Sequence, residues 1–119
     1  MKILVVDDSK PIFLMVEQML KELGHVGIWA ENGQDAFEKI TSDSSLELVL
    51  LDWNMPIMDG LEFLIKNEQE SFCSAPIVMM TTENKPEKIK EALKHGASDY
   101  IMKPFTADII ENKIEMVCD

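Results

Sequence analysis

Asp7-Asp8, Asp52, Thr81 and Lys103 are the residues of this chain whose types combine into chemistry. Together they supply three carboxylates, a hydroxyl and an ammonium, with no cysteine or histidine among them. Carboxylates held close repel one another, and so raise a pKa or recruit a cation. Oxygen-only ligands favour a hard ion, and Mg2+ commonly takes one or two carboxylates, waters and a phosphate oxygen. A carboxylate beside such an ion can attack a phosphoryl group and become an aspartyl phosphate. The metal and a lysine then neutralise charge on the transferring group, and a hydroxyl hydrogen-bonds one of its oxygens. Singly, none of these residues is specific. An acidic pair ahead of a helix also serves capping and dipole compensation, and a lysine before proline also occurs as a solvated loop residue. What matters is whether the fold brings them together.

Asp52 follows Leu48-Val49-Leu50-Leu51, a continuous apolar run that reads as a strand buried on both faces. The central strand is placed at Glu47–Leu51, and Pro56 and Asp59-Gly60 stop regular structure after it. Residues 2–6 form a similar run ending in Asp7-Asp8. Ser9 then caps a helix with Pro11 in its first turn, Ile12, Met15, Val16, Met19, Leu20 and Leu23 at helical spacing, and Gly24 at its close. Val26–Ala30 is a weaker strand leading to an Asn32-Gly33 turn and a short helix with Ala36, Phe37 and Ile40 on its apolar stripe. Leu61, Leu64 and Ile65 mark a third helix, which fades into residues 67–74. Pro76 opens a strand from Ile77 to Met80 that ends at Thr81-Thr82. Asn84 caps the next helix, with Ile89, Ala92 and Leu93 on its buried side and Gly96 after it. Ser98–Met102 is the fifth strand, ended by Lys103-Pro104, and Thr106 caps a last helix facing inward through Ile110, Ile114 and Val117. Five strand-then-helix units predict an α/β fold, a parallel sheet with helices on both faces. In such a sheet every strand delivers its following residue to one edge, which gathers the acids, Thr81 and Lys103 there.

The 119 residues suit one domain, and 46% hydrophobic with 28% charged residues suits a folded chain. A net charge of -11 argues against nucleic acid or anionic lipid as partners. No apolar run approaches the ~20 residues of a membrane span, and the acidic start is unlike a signal peptide. Cys73 and Cys118 lack metal-ligand spacing and read as bystander thiols in a reducing cytoplasm. His25 and His95 sit beside helix-ending glycines, and the nine methionines read as core filler. Trp53 adjoins Asp52, where its fluorescence can report on the site.

The segments Val5-Val6-Asp7-Asp8-Ser9, Leu51-Asp52-Trp53-Asn54-Met55-Pro56, Met58-Asp59-Gly60, Met80-Thr81 and Tyr100-Ile101-Met102-Lys103-Pro104-Phe105 span nearly the whole chain. In them the chain resembles the receiver domain of two-component response regulators, most of all the single-domain chemotaxis, CheY-like type. The resemblance implies a flavodoxin-like sheet in the order 2-1-3-4-5 over a single receiver domain at 1–119. It implies Asp52 as phosphoacceptor, with Mg2+ held by Asp7, Asp8, Asp52 and the backbone carbonyl of Asn54. Lys103 would pair with the phosphoryl group, Thr81 would bind it and move inward, and Tyr100 would change rotamer with Thr81. Lys103-Pro104 resembles a peptide that is cis in the family. Asn54 and Glu83 stand where members differ in dephosphorylation rate, and this pair resembles the fast chemotaxis regulators. Thr82 replaces the commoner Ala of its position.

Implied partners are a histidine kinase, a phosphatase, and a target, the motor switch or another protein, bound by the face at residues 84–118; the chain itself is expected to be a monomer. Implied too is a signalling switch that catalyses only its own phosphorylation and dephosphorylation. A phosphorelay intermediate and a receiver belonging to a longer regulator fit the same residues. A Mg2+-dependent small-molecule phosphohydrolase is a remoter alternative, because position 54 is Asn and 119 residues leave no substrate-covering cap. A flavodoxin-like electron carrier is disfavoured, since Asp7-Asp8 would repel a flavin phosphate.

Overall fold

The computed structural model describes residues 1–82 and 85–118. Strands and helices alternate as β1 (Lys2–Val6), α1 (Lys10–Glu22), β2 (Val26–Ala30), α2 (Gly33–Ser42), β3 (Leu48–Asp52), α3 (Gly60–Glu70), β4 (Ile77–Thr81), α4 (Pro86–Lys94), β5 (Asp99–Met102) and α5 (Ala107–Cys118). All four strand pairings are parallel and the sheet order is 2-1-3-4-5, as the resemblance implied. β3 and β4 are buried along their whole length. Alternate residues of the strands serve two separate cores, which is why those strands carry no polar side chain until their last position. Ile3, Val5, Leu50 and Met80 pack with Phe13, Val16 and Leu20 of α1 and with Ile110 and Ile114 of α5. Leu4, Val6, Leu51 and Met79 pack with Ala36 of α2, Phe63 and Leu64 of α3 and Ala92 of α4. Fully burying each Val, Leu, Ile, Phe or Met side chain among these contributes about 1.5–3 kcal/mol, so the edge carrying the acids rests on a well-stabilised base.

Several local expectations shift. β3 runs one residue further than predicted, because Asp52 still pairs with Met80 in the ladder. The Asn32-Gly33 and Asp59-Gly60 pairs begin helices instead of interrupting the chain. The Asn32 side chain accepts the Asp35 N–H at 2.8 Å, and Asp59 with Glu62 forms a reciprocal capping box over the first turn of α3. Gly24 and Gly96, at φ 85° and 106°, close α1 and α4 in the left-handed region that glycine adopts freely. The buried face of α1 is Phe13, Val16 and Leu20, while the predicted Met15 is exposed. In α3 the buried residues are Gly60, Phe63 and Leu64, with Leu61 and Ile65 only half-buried. α4 buries Ala92 alone among its residues and leaves Leu93 exposed. Its cap falls at Lys85, whose side chain makes no capping hydrogen bond, and the predicted cap Asn84 lies outside the described residues. β5 starts at Asp99, one residue later than predicted, and Val117 of α5 is half-buried.

Candidate functional site: an acidic pocket at the carboxyl edge of the sheet

The turn after β1 and the end of β3 bring Asp7, Asp8 and Asp52 together. Each offers a carboxylate oxygen, and the three lie within 4.8 Å of one another. Asp7 and Asp52 are buried, 1% and 6% exposed, whereas Asp8 faces solvent. Lys103, in the turn after β5, reaches across two strands. Its Nζ lies 2.8 Å from Asp52 Oδ1 and 3.2 Å from Asp7 Oδ2. The Lys103 N–H donates to Thr81 O at 2.8 Å, and the Lys103-Pro104 peptide is cis. Thr81 is buried at the end of β4, one residue beyond the partner of Asp52.

Asp7 is held at every polar group. Its N–H donates to Ala30 O at 3.0 Å, and its main-chain oxygen accepts the Trp29 indole N–H at 2.8 Å. Oδ1 accepts the Ser9 N–H at 2.9 Å, and Oδ2 faces Lys103. Gly60 supports Asp52 from below. A Cβ there would lie 2.7 Å from the Asp52 main-chain oxygen, and the Gly60 N–H donates to Trp53 O at 2.8 Å.

Burial pushes the Asp52 carboxyl above the ordinary carboxylate pKa; Lys103 opposes this and the Asp7 and Asp8 charges add to it. Burial also works against the Lys103 ammonium, but Asp52 and Asp7 outweigh it and hold its pKa above the ordinary lysine value. With all groups ionised, three carboxylates against one ammonium leave a charge of -3 + 1 = -2, which one divalent ion cancels. The all-oxygen donor set, two members buried and one open to water, fits Mg2+ with retained waters.

Asn54 is exposed in the loop after β3, and Glu83 lies outside the described residues. Tyr100 is half-buried on β5, with Lys113 Nζ 5.4 Å from its ring centroid and paired to Asp99 at 3.1 Å. His25 and His95 stand apart from the pocket. His95 Nδ1 meets Glu68 Oε1 at 3.1 Å, while burial and the N-terminal ammonium lower the His25 pKa. Two supports escaped the sequence reading: the Trp29 indole, whose aim depends on the β1–β2 register, and Gly60, whose Asp-Gly signature reads as a stop.

A doubly wound parallel sheet with an acidic pocket and a bridging lysine at its carboxyl edge defines a flavodoxin-like α/β protein with a cluster of three aspartates whose oxygens suit a hard cation. The sequence model of the response regulator receiver domain matches residues 3–115, and the chain belongs to that family. It is 40% identical over 119 residues to chemotaxis protein CheY1 of Helicobacter pylori, covering 98% of this chain and 96% of that protein. It is 39% identical over 119 residues to a chemotaxis protein CheY homolog of Campylobacter jejuni, covering 98% and 92%. Among solved structures it superposes on Vibrio cholerae chemotaxis protein CheY4 with a TM-score of 0.88 at 34% identity, covering 98% and 97%. The receiver domain of the Francisella response regulator 1452 gives 0.89 at 28% identity, covering 98% and 94%. Family members are phosphorylated on an aspartate, generally bind Mg2+ at an acidic pocket, and work between histidine kinases and downstream targets.

Proposed function

We propose that this chain is a chemotaxis response regulator acting as a single receiver domain over residues 1–119, with Asp52 as its phosphoacceptor. The observation that carries this reading is the Lys103 ammonium, bridged to Asp52 and Asp7 beside three carboxylates that converge on one point. Asp7, Asp8, Asp52 and the Asn54 carbonyl would hold Mg2+, which supplies charge neutralisation for the incoming phosphoryl group. The ionised Asp52 attacks the phosphorus of a kinase phosphohistidine. The O–P bond forms as the P–N bond breaks, and the imidazole takes that electron pair and departs neutral, its other ring nitrogen already carrying a proton. Lys103 then turns from Asp52 to the phosphoryl oxygens, and the Thr81 hydroxyl donates to one of them. An apolar groove of about 270 Å3, lined by Ile12, Met15, Thr82, Lys103, Pro104 and Phe105, opens beside the lysine.

The phosphoryl group brings about -1.5 to -2 charges. Thr81 and Lys103 share a main-chain hydrogen bond, so a pull on either acts on β4 and β5 together. That pull biases Tyr100 and alters the face of α4, β5 and α5, where Leu93, Ile109 and Met116 are exposed for a target. Asn54 and Glu83 would set how fast the phosphoryl group is lost. The likeness to CheY1 favours a motility target, a histidine kinase donor and work in the cytoplasm.

The test is intact-mass spectrometry after incubation with acetyl phosphate and Mg2+. One added phosphoryl group is expected in the wild type and in Asp59→Asn, and none in Asp52→Asn. Undiminished uptake by Asp52→Asn overturns the assignment.

A further inference from the structure

We propose that Trp29 is a positioning residue for the divalent ion, its indole N–H fixing the peptide that joins Asp7 to Asp8. This rests on the reading that those two carboxylates take Mg2+.

Trp29 lies on the edge strand β2, in register with Val5 of β1. Its Nε1–H reaches past the end of β1 and donates to the Asp7 main-chain oxygen at 2.8 Å. The ring is held from the other side by α1. Phe13 stacks on it at 5.7 Å between centroids and 20° between planes, and Lys10 Nζ stands 6.0 Å from its centroid. A residue that only filled this half-buried place would need no donor, and phenylalanine would serve.

The hydrogen bond also lands where it affects ion binding. The Asp7 oxygen belongs to a planar peptide whose other end is the Asp8 nitrogen, so its direction fixes the start of Asp8. The Asp7 carboxylate has its own anchors in Ser9 and Lys103. Asp8 is exposed, and its direction comes through that peptide plane. Mg2+ demands near-ideal octahedral geometry at about 2.0–2.1 Å, so a small rotation of one ligand costs affinity. Groups behind the ligands commonly change metal affinity by about 10- to 100-fold when removed.

The test is a series of thermal melts over a range of Mg2+ concentrations, with an EDTA baseline. It compares the wild type, Trp29→Phe, Asp8→Asn, and a protein carrying benzothienylalanine at position 29, which keeps the indole shape without the N–H. The expected result is Mg2+ binding weaker by about tenfold in both Trp29 variants, with melting in EDTA close to wild type. Unchanged Mg2+ affinity in both, with any loss of melting temperature equal in EDTA and in Mg2+, makes Trp29 purely structural and overturns the inference alone. Failure of the wild type to bind Mg2+, or wild-type binding by Asp8→Asn, overturns the reading beneath it and the inference with it.

Discussion

In the proposed mechanism Asp52 is a nucleophile although it is buried, and that conflict has a measurable consequence. Burial and two neighbouring acids favour its proton in the folded state, against the pull of Lys103. A carboxyl whose folded pKa is raised gives stability that is full below its unfolded pKa and is lost as pH rises through the folded value. The wild type therefore bears a cost at neutral pH that an amide at position 52 does not. Asp52→Asn is expected to gain stability over the wild type, and to gain more at about pH 7 than at about pH 4, near the ordinary carboxylate pKa. Denaturant unfolding at the two pH values checks this, and a larger gain at the lower pH contradicts it. The same ionisation makes phosphorylation by acetyl phosphate fail on acidification at a higher pH than an ordinary aspartate would. Ile57 carries a different strain. It is β-branched, 78% exposed, and held at φ 71° in a tight turn where the Met58 N–H donates to Pro56 O at 2.7 Å. Such a γ-turn at positive φ strains any residue with a Cβ and is open to glycine, so Ile57→Gly is expected to stabilise by about 1 kcal/mol in a thermal melt. A loss of stability would show that the exposed isoleucine makes contacts worth more than its strain.

The β3–α3 connection is the element on which the site depends most. Asp59 and Glu62 close a reciprocal cap, and Gly60 lets α3 begin directly beneath Asp52. Asp59→Ala is expected to cost about 1–2 kcal/mol in denaturant unfolding. Gly60→Ala is expected to cost about 1–3 kcal/mol and also to slow phosphorylation, because its methyl group must push on the Asp52 main chain. Asp59→Ala with normal phosphorylation beside Gly60→Ala with impaired phosphorylation would separate capping from support of the nucleophile. At this scale the sequence was a good guide to strands and a poorer one to helix faces. Apolar runs ending in acid or hydroxyl marked β1, β3 and β4, because burial on both faces leaves only one kind of residue along a strand, whereas the half-buried β5 was marked by the Lys103-Pro104 stop after it. Spacing puts Met15 and not Phe13 on the buried stripe of α1, because every position from Ile12 to Val16 is apolar and spacing alone cannot choose between adjacent faces. Asp59-Gly60 carries the same letters whether it breaks a chain or caps a helix. The Trp29 hydrogen bond could not be read at all, since it depends on which residue of β2 lies beside which residue of β1.

Across the whole molecule, the net charge of -11 includes a local -2 held in the pocket. Mg2+ should therefore stabilise the folded chain. The expected gain is about 2.7 kcal/mol at 100 times the dissociation constant, abolished by EDTA and reduced in Asp8→Asn. Monovalent salt at equal ionic strength should not reproduce it, because screening weakens repulsion without bridging two strands. An equal effect of NaCl would mean that general charge repulsion, and not a shared ion, is being relieved. The central claim is that the acids of β1 and β3 act together so that Asp52 alone carries phosphate. It is tested most directly by treating the phosphorylated protein with borohydride, which reduces an aspartyl phosphate to homoserine, and mapping the product by peptide mass spectrometry. Homoserine at position 52 only, formed with Mg2+ and absent with EDTA, is the expected result. Homoserine at position 7, 8 or 59, or labelling at 52 that is indifferent to Mg2+, would contradict it.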